Sequence, residues 1–112
     1  MIEKIVLDYL TTKLTPTPVY VEIPKDTPVK FVLIQKTGSS RSNLLESATI
    51  AVQSYDSSLY NASVLNESVK EAMYELPSVK EVSKCDLNSD YEYTDTVSKR
   101  YRYQAVFDIV HY

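Results

Sequence analysis

The chain has 112 residues, 44% of them hydrophobic, and a net charge of -3 with a pI near 5.1. That length supplies one domain with one core and is too short for two. The acidic balance argues against a partner held chiefly through phosphates, the single glycine leaves no means of building a glycine-rich phosphate cradle, and no run approaches the ~18–20 apolar residues of a membrane span.

Ile2, Ile5, Val6, Tyr9, Leu10 and Leu14 recur at helical spacing, with Glu3 near the positive end of the helix and Lys13 near the negative end. Thr15-Pro16-Thr17-Pro18 ends that helix, because a residue before proline is pushed out of the α region. Val19 to Ile23 alternates and predicts a first strand, and Pro24 to Pro28 a turn. Phe31 to Gln35 is short, β-branched and almost continuously apolar, which predicts a strand covered on both faces. Thr37 to Asn43 is polar and predicts a mobile loop.

From Glu46 to Tyr55 the period is two, with Ala48, Ile50 and Val52 sharing one face. Asp56-Ser57-Ser58 then offers side-chain oxygens to the free N–H groups of a helix start. The period changes there: Leu59, Ala62, Leu65, Val69, Ala72, Met73 and Leu76 form one helical stripe, and Pro77 stops it. A lone amphipathic helix is marginal in water, so this stripe needs a sheet to lie on. Beyond it, Val79 to Cys85 predicts a short strand, Asp86 to Thr96 an acidic connection, and Lys99 to Tyr112 the longest strand. On that last strand Tyr101, Tyr103, Ala105, Phe107 and Ile109 face one way, with Arg100, Arg102 and Gln104 opposite. The order α-β-β-β-α-β-β predicts an α+β single domain over 1–112, a mainly antiparallel sheet packed by two helices.

The inventory for catalysis is poor. His111 is the single histidine, with no other His or Cys near it in sequence, and reads as a strand residue. Cys85 has no disulfide partner and reads as a small apolar residue in a reducing compartment. The opening Met1-Ile2-Glu3-Lys4 lacks the order of a signal peptide, which places the expected protein in a cytoplasm. Asp86 to Glu92 starts like a calcium loop, but Tyr91 stands where the sharp-turn glycine belongs and Val97 where the bidentate Glu belongs. Asn61-Ala62-Ser63 and Asn66-Glu67-Ser68 match the glycosylation pattern but fall on a predicted helix, so they read as chance matches. Lys99 to Tyr103 interleaves basic and aromatic residues as some RNA-binding strands do. Alternation sets its arginines on the face opposite its tyrosines, so stacking and phosphate contact do not share a surface. The ten tyrosines suit half-wet interfaces, although tyrosine is also a good strand former.

Taken in order, these features resemble the tail-terminator (tail-completion, minor tail) proteins of long-tailed bacteriophages and prophages. The parts that carry the resemblance are the strand running into Tyr55-Asp56-Ser57-Ser58 and a long helix, and the closing Tyr93-Thr94-Asp95-Thr96 followed by Lys99 to Ile109. The resemblance implies an α+β domain that assembles into a ring, usually a hexamer. Such a ring caps the tail tube, ends its polymerisation and meets the head connector or stopper protein. Its place is the host cytoplasm during assembly and then the virion tail. Neither catalysis, cofactor, metal, membrane nor specific nucleic acid is implied, and exposed sheet edges are natural ring contacts. Candidate interface positions are Arg41 in the first polar loop, Asp90 and Glu92 in the acidic connection, and Arg100 and Arg102 on the last strand. A head-completion (stopper) protein of the neck and a small nucleic-acid-binding regulator are the alternatives.

Overall fold

A computed structural model describes residues 2–42, 45–94, 97 and 100–112. Its elements are α1 (Ile2–Lys13), β1 (Val19–Tyr20), β2 (Phe31–Ser42), β3 (Leu45–Asp56), α2 (Leu59–Tyr74), a short 3-10 turn (Leu76–Ser78), β4 (Val82–Glu92) and β5 (Tyr101–His111). The strands form one sheet in the order β1-β2-β3-β5-β4. Only β1 and β2 run parallel; the other pairs are antiparallel. This is the expected α+β fold with the expected order of elements.

Both helices lie on one face of the sheet. Val6 and Leu10 of α1 and Leu65, Val69 and Met73 of α2 meet Val32 and Ile34 of β2, Ile50 and Val52 of β3, and Ala105, Phe107 and Ile109 of β5 in one buried core. The helical stripe of α2 therefore finds its sheet, with Ser58 as its N-cap accepting from the Asn61 backbone N–H at 3.1 Å. Leu59 is the exception on that stripe, being exposed in the first turn. The Tyr9 hydroxyl donates to the Ala72 carbonyl at 2.6 Å, tying α1 to α2.

Three sequence expectations change. Thr37 to Ser42 is not a loop: β2 continues to Ser42, paired with β3 from Gly38↔Thr49 to Ser42↔Leu45. A bulge at Thr37 absorbs one residue, and the Thr37 hydroxyl donates to the Thr49 carbonyl at 3.3 Å. Asn43 lies outside the described residues. The acidic stretch is likewise strand through Glu92, paired with β5 from Asp86↔Asp108 to Glu92↔Tyr103, with bulges at Ser83 and Asn88. Asp95, Thr96 and Lys99 lie outside the described residues. In both cases a polar segment becomes strand because its neighbour is already in place, and strand preference follows the pairing partner more than the side chain. Conversely, β1 stops at Tyr20, and Val21 and Ile23 leave the sheet and are exposed.

Two substitutions test this account. Phe107→Ala removes a fully buried ring from the centre of the core and should lower unfolding free energy by about 3–5 kcal/mol, read from denaturant midpoints. At Gly38 a Cβ meets no atom within 4 Å and the backbone does not have positive φ. Gly38→Ala should therefore be neutral or raise stability by up to about 1 kcal/mol; a clear loss would contradict the strand assignment there.

Candidate assembly surface

The face of the sheet away from the helices carries alternate residues of the same strands. At one end Phe31 and Leu33 of β2 and Tyr55 of β3 are buried, with Tyr20 packed beside them. Phe31 and Tyr55 stack with centroids 4.3 Å apart and planes 7° from parallel, and Tyr20 meets Phe31 edge-on at 6.0 Å. The segment after β1 covers this end: Thr27, Pro28 and Val29 line a groove of about 260 Å³ with Phe31, Tyr55, Arg100 and Tyr101. The Arg100 guanidinium donates to the Thr27 hydroxyl at 2.7 Å.

Next to the aromatic cluster runs a polar chain across four strands. Gln53 Nε2 donates to Gln104 Oε1 at 2.8 Å and lies 3.4 Å from Gln35 Oε1, and Gln104 Nε2 donates to the Tyr91 hydroxyl at 2.6 Å. The Tyr55 hydroxyl donates to Gln53 Oε1 at 3.0 Å and accepts from Arg102 at 2.8 Å. Arg102 also donates to the Tyr93 carbonyl, and its guanidinium sits over the Tyr93 ring at 4.3 Å. Tyr91 and Tyr93 meet edge-on at 6.0 Å. Because most members have partners, burial of Gln53 on this face costs little.

Alternation along β5 does separate Arg102 from Tyr101 and Tyr103, as the sequence predicts. Yet Arg102 meets aromatic rings after all, supplied by β3 and by the residue after β4. The expected separation of stacking and charge is thus overturned by neighbouring strands that a single-strand reading omits. The guanidinium is engaged by its own chain, as an internal clamp would be.

The five candidate positions do not form one cluster. Arg100 and Arg102 lie at the aromatic end of the sheet with Glu92, whose carboxylate accepts from the Thr94 hydroxyl at 2.9 Å. Asp90 turns to the helix side, accepting from Asn66 at 3.2 Å and Lys70 at 2.9 Å of α2. Arg41 is at the opposite end, pairing at 3.0 Å with Glu46, its cross-strand neighbour. That bond holds the Glu46 carboxyl below its usual range. The sequence reading missed buried Asn66; its place four residues after Ala62, inside the apolar stripe, was the available signal.

His111 is buried at the far end of β5, its Nδ1 3.3 Å from the Tyr112 carbonyl oxygen and 4.0 Å from Glu46. Among the described residues no three His, Cys, Asp or Glu side chains gather as metal ligands. Nor is any described helix long and apolar enough to cross a membrane. The surface defines an α+β protein with one helix-covered face and one ordered polar-aromatic face. The sequence matches no protein-family model, and no curated protein matches it.

Cys85 and Lys70 are among the groups that make this structure sensitive to alkali. Burial, and then Asp86 and Asp108, push the Cys85 thiol from 9.0 up to about 12. The hydrogen bonds that Lys70 donates to Glu67 and then Asp90 raise it above its ordinary 10.5. Both bind protons more tightly when folded, so their stabilisation is intact below the unfolded values and is lost as pH rises. Denaturant midpoints should fall as pH climbs from 9.0 toward about 12, and Cys85→Ala should flatten the early part of that decline. At neutral pH Cys85 should react with a thiol reagent far more slowly in the folded chain than in denaturant.

Proposed function

We propose that this chain is a structural assembly protein of the tail-terminator kind. In this reading it works as a ring of identical subunits, probed first as a hexamer, that closes a completed tail tube and presents a surface to the head connector. It acts by occupying the tube end and not by catalysis, and its final place is the virion tail.

One observation carries the reading. The two segments on which the resemblance rests, the strand–Asp56-Ser57-Ser58–helix junction and the closing aromatic-basic strand, form a single physical unit. β3 and β5 are neighbours in the middle of the sheet, paired from Glu46↔His111 to Asp56↔Tyr101, and α2 packs across both. Supporting it, six of the ten tyrosines (Tyr60, Tyr74, Tyr91, Tyr93, Tyr101 and Tyr112) are exposed, in keeping with interfaces that are formed only on assembly.

Deleting the gene from a phage or prophage that carries it should give tails of uncontrolled length, or tailless particles, beside intact heads. Normal infectious particles would sink the proposal. Heads that leak DNA beside normal free tails would instead assign the chain to the head-completion side of the neck.

A further inference from the structure

We infer that copies of this chain join edge to edge, the free edge of β2 in one copy pairing antiparallel with the free edge of β4 in the next. The inference gives the proposed ring its contact and rests on that reading for closure, while the contact itself is argued from the sheet.

Both outer strands leave backbone groups open. β1 pairs only with Val32 and Leu33, so from Ile34 to Ser42 the outer side of β2 has no described strand beside it. A groove of about 530 Å³, lined by Glu3, Val21, Ile34, Gln35, Lys36 and Thr37, marks the place where β1 breaks off. On the opposite side, among the described strands, β4 pairs with β5 alone along Val82–Glu92. An open strand edge is a template for another strand.

The two edges match in height, direction and sidedness. Residue partners carry Ile34 through Val52 and Ala105 to Asp90, and Arg41 through Glu46 and His111 to Val82. The free part of β2 is thus level with Val82 to Asp90 of β4. Along the sheet β2 and β4 run in opposite directions, because three antiparallel pairings separate them. Rotating a copy about an axis along the strands keeps strand direction, sets β4 against the next β2 antiparallel, and leaves all helices on one side. Such a contact is heterologous, since two different edges meet, and it repeats into a ring where the rotation divides a full turn.

Charge agrees with that pairing and opposes contact between two β2 edges. The free β2 edge carries Lys36 and Arg41 and no acid, while the stretch of β4 level with it, Val82 to Asp90, carries Asp86 and Asp90 against Lys84. Arg41 and Lys36 have partners in their own chain, Glu46 at 3.0 Å and Glu3 at 4.0 Å, and Lys84 bridges Asp86 at 3.2 Å. These pairs are partly or largely exposed, and exposed pairs contribute little and exchange readily. A β2–β2 contact would instead bring like charges together.

The test uses the full chain in two charge-reversed variants, Lys36→Glu with Arg41→Glu in one and Asp86→Lys in the other, each first checked by circular dichroism for native strand content. Light scattering across a concentration series should show the wild type associating. Each variant alone should associate at least about tenfold more weakly, because its two edges then carry like charge. An equimolar mixture should regain association, since the altered β2 edge of one variant then meets the altered β4 edge of the other with opposite charge, and the two unaltered edges meet as in the wild type. If one variant does not fold, the other, altered only on the opposite edge, carries the test by itself. A wild type that stays monomeric at every concentration overturns the inference, and so does either single-edge variant associating undiminished. Those results leave the tail reading to the gene deletion, whose failure in turn would not touch an edge contact seen in solution.

Discussion

An unbroken antiparallel ladder between β3 and β5, eleven residue pairs from Glu46↔His111 to Asp56↔Tyr101, is the constraint on which the remaining structure depends. It has no bulge, so side chains keep their face along its whole length. Ile50 opposite Phe107 and Val52 opposite Ala105 make a continuous apolar strip on one side. That strip is what the stripe of α2 lies against, and burying such side chains brings roughly 1.5–3 kcal/mol each. On the other side the same ladder places Gln53 opposite Gln104 and Tyr55 opposite Arg102, which begins the polar chain. A one-residue slip would exchange these faces and bury the glutamines against α2.

Irregularity is confined to the outer pairings. The bulges at Thr37, Ser83 and Asn88 all lie where β2 and β4 meet the central pair from outside. Asp108 shows how the sheet is held there: its carboxylate accepts from Thr49 of β3 and from Asn88 of β4, both at 3.0 Å. One acidic side chain on β5 therefore ties both neighbouring strands, one of them at the bulged residue. Asp90 plays the matching part on the helix side, joining β4 to α2 through Asn66 and Lys70.

How much of this was legible in the sequence follows from where each signal resides. The elements with apolar periodicity, α1, α2, β3 and β5, were readable because burial on one face imprints a period of 3.6 or 2. Ser58 was readable as a cap because capping is a local hydrogen bond. Thr37 to Arg41 and Asp86 to Glu92 were not, because their strands are set by backbone pairing to a neighbour and their side chains are mostly exposed. The same blindness hid the meeting of Arg102 with Tyr55 and Tyr93, residues 47 and nine positions away in sequence. Of the candidate surface, then, the residue types were visible and their grouping was not. Asp90 and Arg41 read alike as exposed loop charges, yet one braces a helix and the other closes a hairpin.

Those polar outer strands bear on assembly through the balance between solubility and association. A long, flat, apolar edge would pair with any strand it met, and proteins blunt such edges with charge and bulges. Here the free edge of β2 is polar from Gln35 onward and bulged at Thr37, and β4 is charged and bulged twice. Each device weakens chance pairing, because an unmatched neighbour meets unpaired charge and a broken ladder. A neighbour of matching charge and height meets neither penalty in full. Bulges also bend the strand that holds them and increase its twist, and bending is what a sheet needs in order to close on itself. In the proposed edge contact, the features that keep single copies apart are therefore also the features that select one register and one curvature when copies join.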